Sequence, residues 1–249
     1  MATRPVEIVP AAALRGRIVP LEILSGEERD AMFGLLGAHF SGVARAVFER
    51  DLDEKSCALL LEDAAGALRG FSTMLAFEAE VEGRVVSAIY SGDTIVERGW
   101  WRSPALATTW LQAVWRLAPA QADAEVYWLL LTSGYRTYRF LPVFFRDFYP
   151  RFDAATPAPT QRLLDGLAAA RFGSRFARDA GVVRFEHPQV LTPELREVPD
   201  GRRGDPHVSF FLERNPGHIR GDELACLTRI ARGNLTAAGE RIARLAARD

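Results

Sequence analysis

The chain has 249 residues, of which 48% are hydrophobic, 10% aromatic and 25% charged. That profile belongs to an ordinary globular protein and excludes collagen, low-complexity disorder and a disulfide miniprotein. With 31 Lys plus Arg against 32 Asp plus Glu, the formal net charge is −1, so the balance offers no footprint for nucleic acid or an anionic membrane.

Residues 1–16 read as a flexible arm. Arg4, Glu7 and three prolines interrupt the first 20 residues, which leaves no apolar stretch for a secretory signal. No run approaches the ~20 apolar residues of a membrane span. Lys55 is the only lysine, and Cys57 and Cys226 are the only cysteines. The expectation is a soluble cytoplasmic protein with two buried, reduced thiols. The histidines His39, His187, His207 and His218 are scattered, and without ligand spacing among them no metal is expected.

A strand is expected over 17–24. Ser25 lies three residues before Glu28, a capping-box spacing that opens a helix running to His39. A second helix should cover 43–52. Three strand-like segments follow, at 57–61, 71–81 and 84–96, the last two joined by the tight turn Glu82-Gly83. They read as an antiparallel meander. The period then changes. Leu106, Trp110, Val114 and Leu117 fall at helical spacing after Ser103 and Pro104, and that helix must stop near Pro119. Val126–Leu131 reads as a strand, and 135–145 as a helix shortened at Pro142. Beyond Pro150 the expectations are a helix over 161–178, strands over 181–186 and 207–212, a helix from Asp222 to Arg232, and a last amphipathic helix over 234–248. That last helix should dock on the core or on a second subunit, which allows a homodimer. The division is thus an arm at 1–16, a core at 17–150 and an extension at 151–249 packed on the core.

The segment Val96–Trp110, VERGWWRSPALATTW, carries the chemistry. A strand ends, a loop with an arginine follows, and a helix opens with small residues. A helix start presents unpaired N–H groups and a positive dipole end, which suits phosphate. Arg102 adds a charged fork beside it.

Arg102-Ser-Pro-Ala-Leu-Ala107 resembles the Gln/Arg-x-x-Gly-x-Gly/Ala motif of the GNAT superfamily of acyl-CoA-dependent N-acyltransferases. The order around it, meander, loop, helix, strand, helix, is also similar to the GNAT core over residues 18–150. The resemblance implies an α/β (α+β) fold with a mixed, mostly antiparallel central sheet flanked by helices, here with a C-terminal α/β extension. It implies an acyl-CoA co-substrate, acetyl-CoA or a longer thioester, held by Ile95, Val96, Arg102, Ser103, Ala105 and Ala107. Trp100 and Trp101 would flank the pantetheine or the adenine. Two departures from the motif are Ala105, where the family has glycine, and Pro104, which has no N–H to donate.

Acyl transfer to an amine needs a base for the ammonium proton and an acid for the leaving thiolate. Glu78, Glu80, Asp93 and Glu97 are candidate bases. Asp93 interrupts an apolar strand and shares a face with Ser91 and Ile95 if the alternation holds. The resemblance places an acid on the helix after the next strand, where Tyr138 is the first choice and Tyr135 the second. Ser133 is a candidate partner for the acyl or sulfur end, and Arg136 and Arg139 for a carboxylate. The leading reading is therefore transfer from a CoA or acyl-carrier-protein thioester to a small amine. The alternatives are a catalytically silent GNAT-like binding module or another thioester-using enzyme, and an open wedge between the strands at 84–96 and 126–131 would favour the enzymes.

Overall fold

The computed structural model describes residues 14–118 and 125–248. The expected arm lies outside them up to residue 13, and the described chain is already a strand at Arg15.

Strand β1 is Arg15–Pro20, and a short turn leads to α1, Gly26–His39. The capping box is present, with Ser25 accepting from the Glu28 N–H and Glu28 accepting from that of Ser25. Next come β2 (Phe40–Ser41), α2 (Arg45–Asp53), β3 (Cys57–Glu62), β4 (Leu68–Val81) and β5 (Arg84–Val96). Glu82 and Gly83 both take positive φ, 51° and 75°, the turn that right-twisted strands require. Helix α3 (Ala105–Leu117) precedes β6 (Val126–Thr132), then α4 (Tyr135–Tyr138), α5 (Phe140–Phe144) and β7 (Phe148–Tyr149). The chain continues through α6 (Ala158–Phe172), β8 (Phe176–Ala177), β9 (Val182–Val183), β10 (Val190–Leu191), α7 (Pro193–Arg196) and α8 (Pro206–Arg214). It ends with β11 (Glu223–Arg229) and α9 (Ala237–Ala246).

The sheet order is β1-β3-β4-β5-β6-β11-β9-β8, with β7 also on β11. The pairings are antiparallel except β5 with β6, which run parallel. A helix connects those two strands, as a parallel crossover demands. This is the mixed, mostly antiparallel sheet that the resemblance implied.

Side chains alternate across the sheet. Leu60, Phe71 and Ile95 meet Met32 and Leu36 of α1 and Phe48 of α2. Tyr90, Leu129 and Leu227 meet Leu164, Leu167 and Phe172 of α6 on that same face. Leu59, Met74 and Ile89 meet Leu111 and Val114 of α3 on the opposite face.

Two expectations in the extension are corrected. Residues 207–212 are not a strand but part of α8. Asp205 caps the helix by accepting from the His207 N–H, Pro206 sits in its first turn, and the buried Val208 and Phe211 lie three apart. Conversely, Asp222 opens no helix. Glu223–Arg229 is a strand whose residues Leu224–Thr228 are all buried. A strand covered on both faces shows no alternation in sequence. The helical segment at 135–145 breaks at Arg139 rather than Pro142, because Pro142 falls in the first turn of α5, where its missing N–H costs nothing. Among the described residues no helix is long and apolar enough to cross a membrane.

Candidate functional site

The site begins with a defect in β5. Ser72 pairs with Thr94 and Met74 with Ser91, so Gly92 and Asp93 together oppose the single Thr73. A β-bulge of this kind re-aims side chains. Ser91 points to the α3 face, where its Oγ accepts from Trp110 Nε1 at 2.9 Å and Trp128 Nε1 at 3.0 Å. Ile95 points to the α1 face. Ser91 and Ile95 therefore do not share a face, because the bulge resets the alternation between them.

At the same place β5 and β6 part. Their ladder runs from Ser87 opposite Val126 to Ser91 opposite Leu130 and stops, although β5 continues to Val96 and β6 to Thr132. The wedge opens beyond Ser91. Glu97 N–H donates to the Arg69 carbonyl of β4. By antiparallel alternation the N–H and C=O groups of Val96 and Thr94 then point away from β4, into the wedge.

At the open end of the wedge a cleft of about 660 Å³ is bounded by the α3 start, α4 and α5 and reaches His39 and Phe40 at the end of α1. Ile95, Val96, Arg102, Ser103 and Ala107 line it, five of the six residues named for the donor. Ser103 Oγ accepts from Ala105 N–H at 3.2 Å, and Thr108 N–H reaches the Pro104 carbonyl. The N–H groups of Leu106 and Ala107 are left without partners among the described residues. Arg102 is exposed beside them. Pro104 stands just before the helix, so its missing N–H opens no gap in the helical bonding. Ala105 is the sixth. Its side chain is buried with Leu14 and Leu61 and does not itself line the cleft. These donors fit a phosphate-bearing thioester. Trp101 Nε1 donates to the Val96 carbonyl at 2.7 Å, while the Val96 N–H is free to meet pantetheine. Arg136 stacks 4.8 Å from the Trp101 ring and donates to the Leu195 and Glu197 carbonyls of the extension. Arg139 pairs with Asp205 at 3.0 Å.

The opposite face of the wedge is carboxylic. Asp93 turns toward α2 and β11, and burial first, then the Asp51 charge, push its pKa up to about 7 against the opposing pull of Lys55. Lys55 has a fully buried side chain and donates to Asp51 Oδ2 at 2.5 Å. Glu223 shares this environment. Burial, Asp93 and Asp51 raise it to about 8. The sequence reading missed Glu223, whose only signal is a carboxylate at the head of an apolar run. The other candidate bases lie elsewhere: Glu78 and Glu80 are exposed on β4, and Glu97 pairs with Arg69 at 3.3 Å.

Tyr138 is not at the cleft. It is fully buried, packs against Phe148, Phe210 and Phe211, and donates its hydroxyl to the Pro150 carbonyl at 2.9 Å. Burial raises its pKa far above that of an ordinary tyrosine. The physical reason is the one-turn α4, which rotates Tyr138 into the extension while Tyr135 lines the cleft. Tyr138→Phe is expected to remove about 1 kcal/mol of stability, the worth of one hydrogen bond, and to lower Tm by about 2–4 °C. Thermal unfolding and steady-state rates together check this, since kcat should not change. Among the described residues no group of three His, Cys, Asp or Glu could hold a metal.

No family model matches the chain, and no curated protein does. Solved structures to which it is similar include a conserved protein of unknown function from Enterococcus faecalis, at 15% identity and TM-score 0.40, over 53% of this chain and 33% of that one. Another is the Escherichia coli GNAT family N-acetyltransferase YhbS in complex with CoA, at 16% identity and TM-score 0.37, over 56% and 71%. A third is Saccharomyces cerevisiae N-myristoyltransferase with bound myristoyl-CoA, at 13% identity and TM-score 0.37, over 53% and 31%. The chain thus spans about a third of the length of the first and third.

Proposed function

We propose that the protein is an acyltransferase that moves an acyl group from a CoA or carrier-protein thioester to a primary amine. One observation supports this above the others: the wedge between β5 and β6 has an anion-binding helix start on one face and Asp93, a carboxyl with a raised pKa, on the other. A donor and an acceptor can approach the gap from opposite sides.

The phosphates of the donor bind at the N–H groups of Leu106 and Ala107 with Arg102 as clamp. The N–H groups of Thr94 and Val96 face the thioester carbonyl and stabilise the developing oxyanion. Asp93, ionised, accepts a proton from the ammonium of the acceptor. The freed amine nitrogen attacks the carbonyl carbon, a C–N bond forms and the C–S bond breaks, and the proton that the nitrogen then sheds passes through water to the leaving thiolate. With Tyr138 held on Pro150, water is the acid in this scheme.

The rate should rise as pH passes through about 7, where Asp93 loses its proton. The Asp93 charge in turn helps to raise Glu223. The direct test is acyl transfer from acyl-CoA and from acylated carrier protein to a panel of amines. Donor binding without turnover of any amine would leave the silent module and another thioester-using enzyme as the two readings. Arg102→Ala is expected to raise Kd for CoA by roughly 10-fold, the low end for a charged hydrogen bond because the arginine is exposed. Isothermal titration measures it.

A further inference from the structure

On the acyltransferase reading, the group being transferred lies beyond the sulfur, deep in the wedge. A smaller cavity of about 50 Å³ opens there. Thr94, Ala107 and Thr137 line both this cavity and the outer cleft, so the two spaces are continuous. Trp110, Leu111, Trp128, Leu130, Phe145 and Leu235 wall the inner end alone, and Leu106, Phe140, Phe144 and Ile242 line both spaces.

The cavity's hydroxyls are already engaged. Ser72 and Thr94 bond to each other at 2.7 Å. Ser91 holds the two indole N–H groups. Only Thr137, at the mouth, has a hydroxyl with no partner among the described residues. The inner end is therefore an apolar environment, while Arg102 and Arg136 stand along the outer cleft. A charged outer end and an apolar inner end in one space fit a ligand with an anionic head and a hydrocarbon tail.

We propose that this cavity is an acyl-chain pocket that selects thioesters of straight-chain acyl groups of roughly four to six carbons. The size follows from the volume. One water-sized group needs about 10–15 Å³ measured this way, so the cavity takes roughly three to five methylene-sized groups, to which the carbonyl carbon adds one.

Part of the wall belongs to the extension. Leu235, Gly239 and Ile242 come from α9 and the turn before it. At Gly239 a Cβ would stand 2.4 Å from the Phe144 carbonyl oxygen, so α9 seats hard against α5 and the wall is formed in advance. Chain length is thus set jointly by the core at 17–150 and by the extension.

The test is isothermal titration of the full chain with CoA, acetyl-, butyryl-, hexanoyl- and decanoyl-CoA, and with hexanoate alone. Affinity is expected to rise roughly fourfold per added methylene up to hexanoyl and to fall at decanoyl. Ile242→Trp should move the optimum down to acetyl, and Phe140→Ala should move it up toward decanoyl. The wild-type series stands by itself should either variant fail to fold. Equal affinity for CoA and every acyl-CoA would overturn the pocket and leave the acyltransferase reading in place. Hexanoate binding as tightly as hexanoyl-CoA would overturn it too, in favour of a free fatty-acid site. No binding of CoA or any acyl-CoA by folded protein would overturn the pocket as a selector of acyl-CoA and leave the acyltransferase reading with a carrier-protein donor only.

Discussion

Asp93→Asn is expected to lower kcat by roughly 10²–10⁴, the usual share of general acid–base catalysis, with donor affinity unchanged. The substitution keeps the shape and removes only the proton acceptor. The ascending limb of the pH–rate profile near 7 should disappear with it. The same change should alter stability in a defined direction. The Asp93 carboxyl titrates at about 7 in the folded protein, above its ordinary value of 3.8. The folded state therefore binds the extra proton, and that stability is full below about pH 4 and lost as pH rises through 7. Above that pH the wild type carries a buried charge that the asparagine lacks. Asp93→Asn should then unfold at a higher temperature than wild type at pH 8.5, with the gap closing at pH 5. Thermal melts at the two pH values measure it. A surviving ascending limb would clear Asp93 and move the base to Glu223, which shares its environment.

Ser91→Ala is expected to destabilise the fold by roughly 2–4 kcal/mol. One hydroxyl oxygen accepts from two tryptophans in a site that is 2% exposed. Removing it strands two indole N–H donors, at about 1–3 kcal/mol each when buried. Trp110 also lines the small cavity, so water can reach its donor and hold the sum below the maximum. Ser91→Thr keeps the acceptor and should lose much less unless its extra methyl overpacks the site. Urea unfolding checks both. Because Ser91 is the last residue of β5 in the ladder with β6, the alanine variant should also loosen the wedge itself.

The part of the fold legible in the sequence is the part specified by local signals. Ser25 and Glu28 announce α1, Glu82-Gly83 announces the β4–β5 turn, and the spacing of Leu106, Trp110 and Val114 announces α3. The cleft residues at Arg102, Ser103 and Ala107 follow from those elements. What escaped is set by partners distant in the chain. The bulge at Gly92-Asp93 exists only against Thr73, so no alternation in β5 alone could reveal it. Segment 207–212 has strand composition, yet Asp205 and Pro206 start a helix there. Glu223 reaches the site only because β11 pairs with β6, and a strand buried on both faces gives no periodic mark. Tyr138 sat at a plausible position by count, but a single turn of helix decided which way it pointed.

The insertion of β11 has a consequence for synthesis. β6 is an apolar strand, Val-Tyr-Trp-Leu-Leu-Leu, and in the finished protein β11 covers its outer side from Tyr127 to Thr132. On the ribosome β6 is complete at Thr132, whereas β11 ends only at Arg229. At about 5–20 residues per second, the partner arrives roughly 5–20 s later. Over that interval the nascent sheet has an open row of N–H and C=O groups beside an apolar face, the surface that invites strand addition from another chain. Crowded polysomes making this protein are therefore most exposed to misassembly in the window between those two strands.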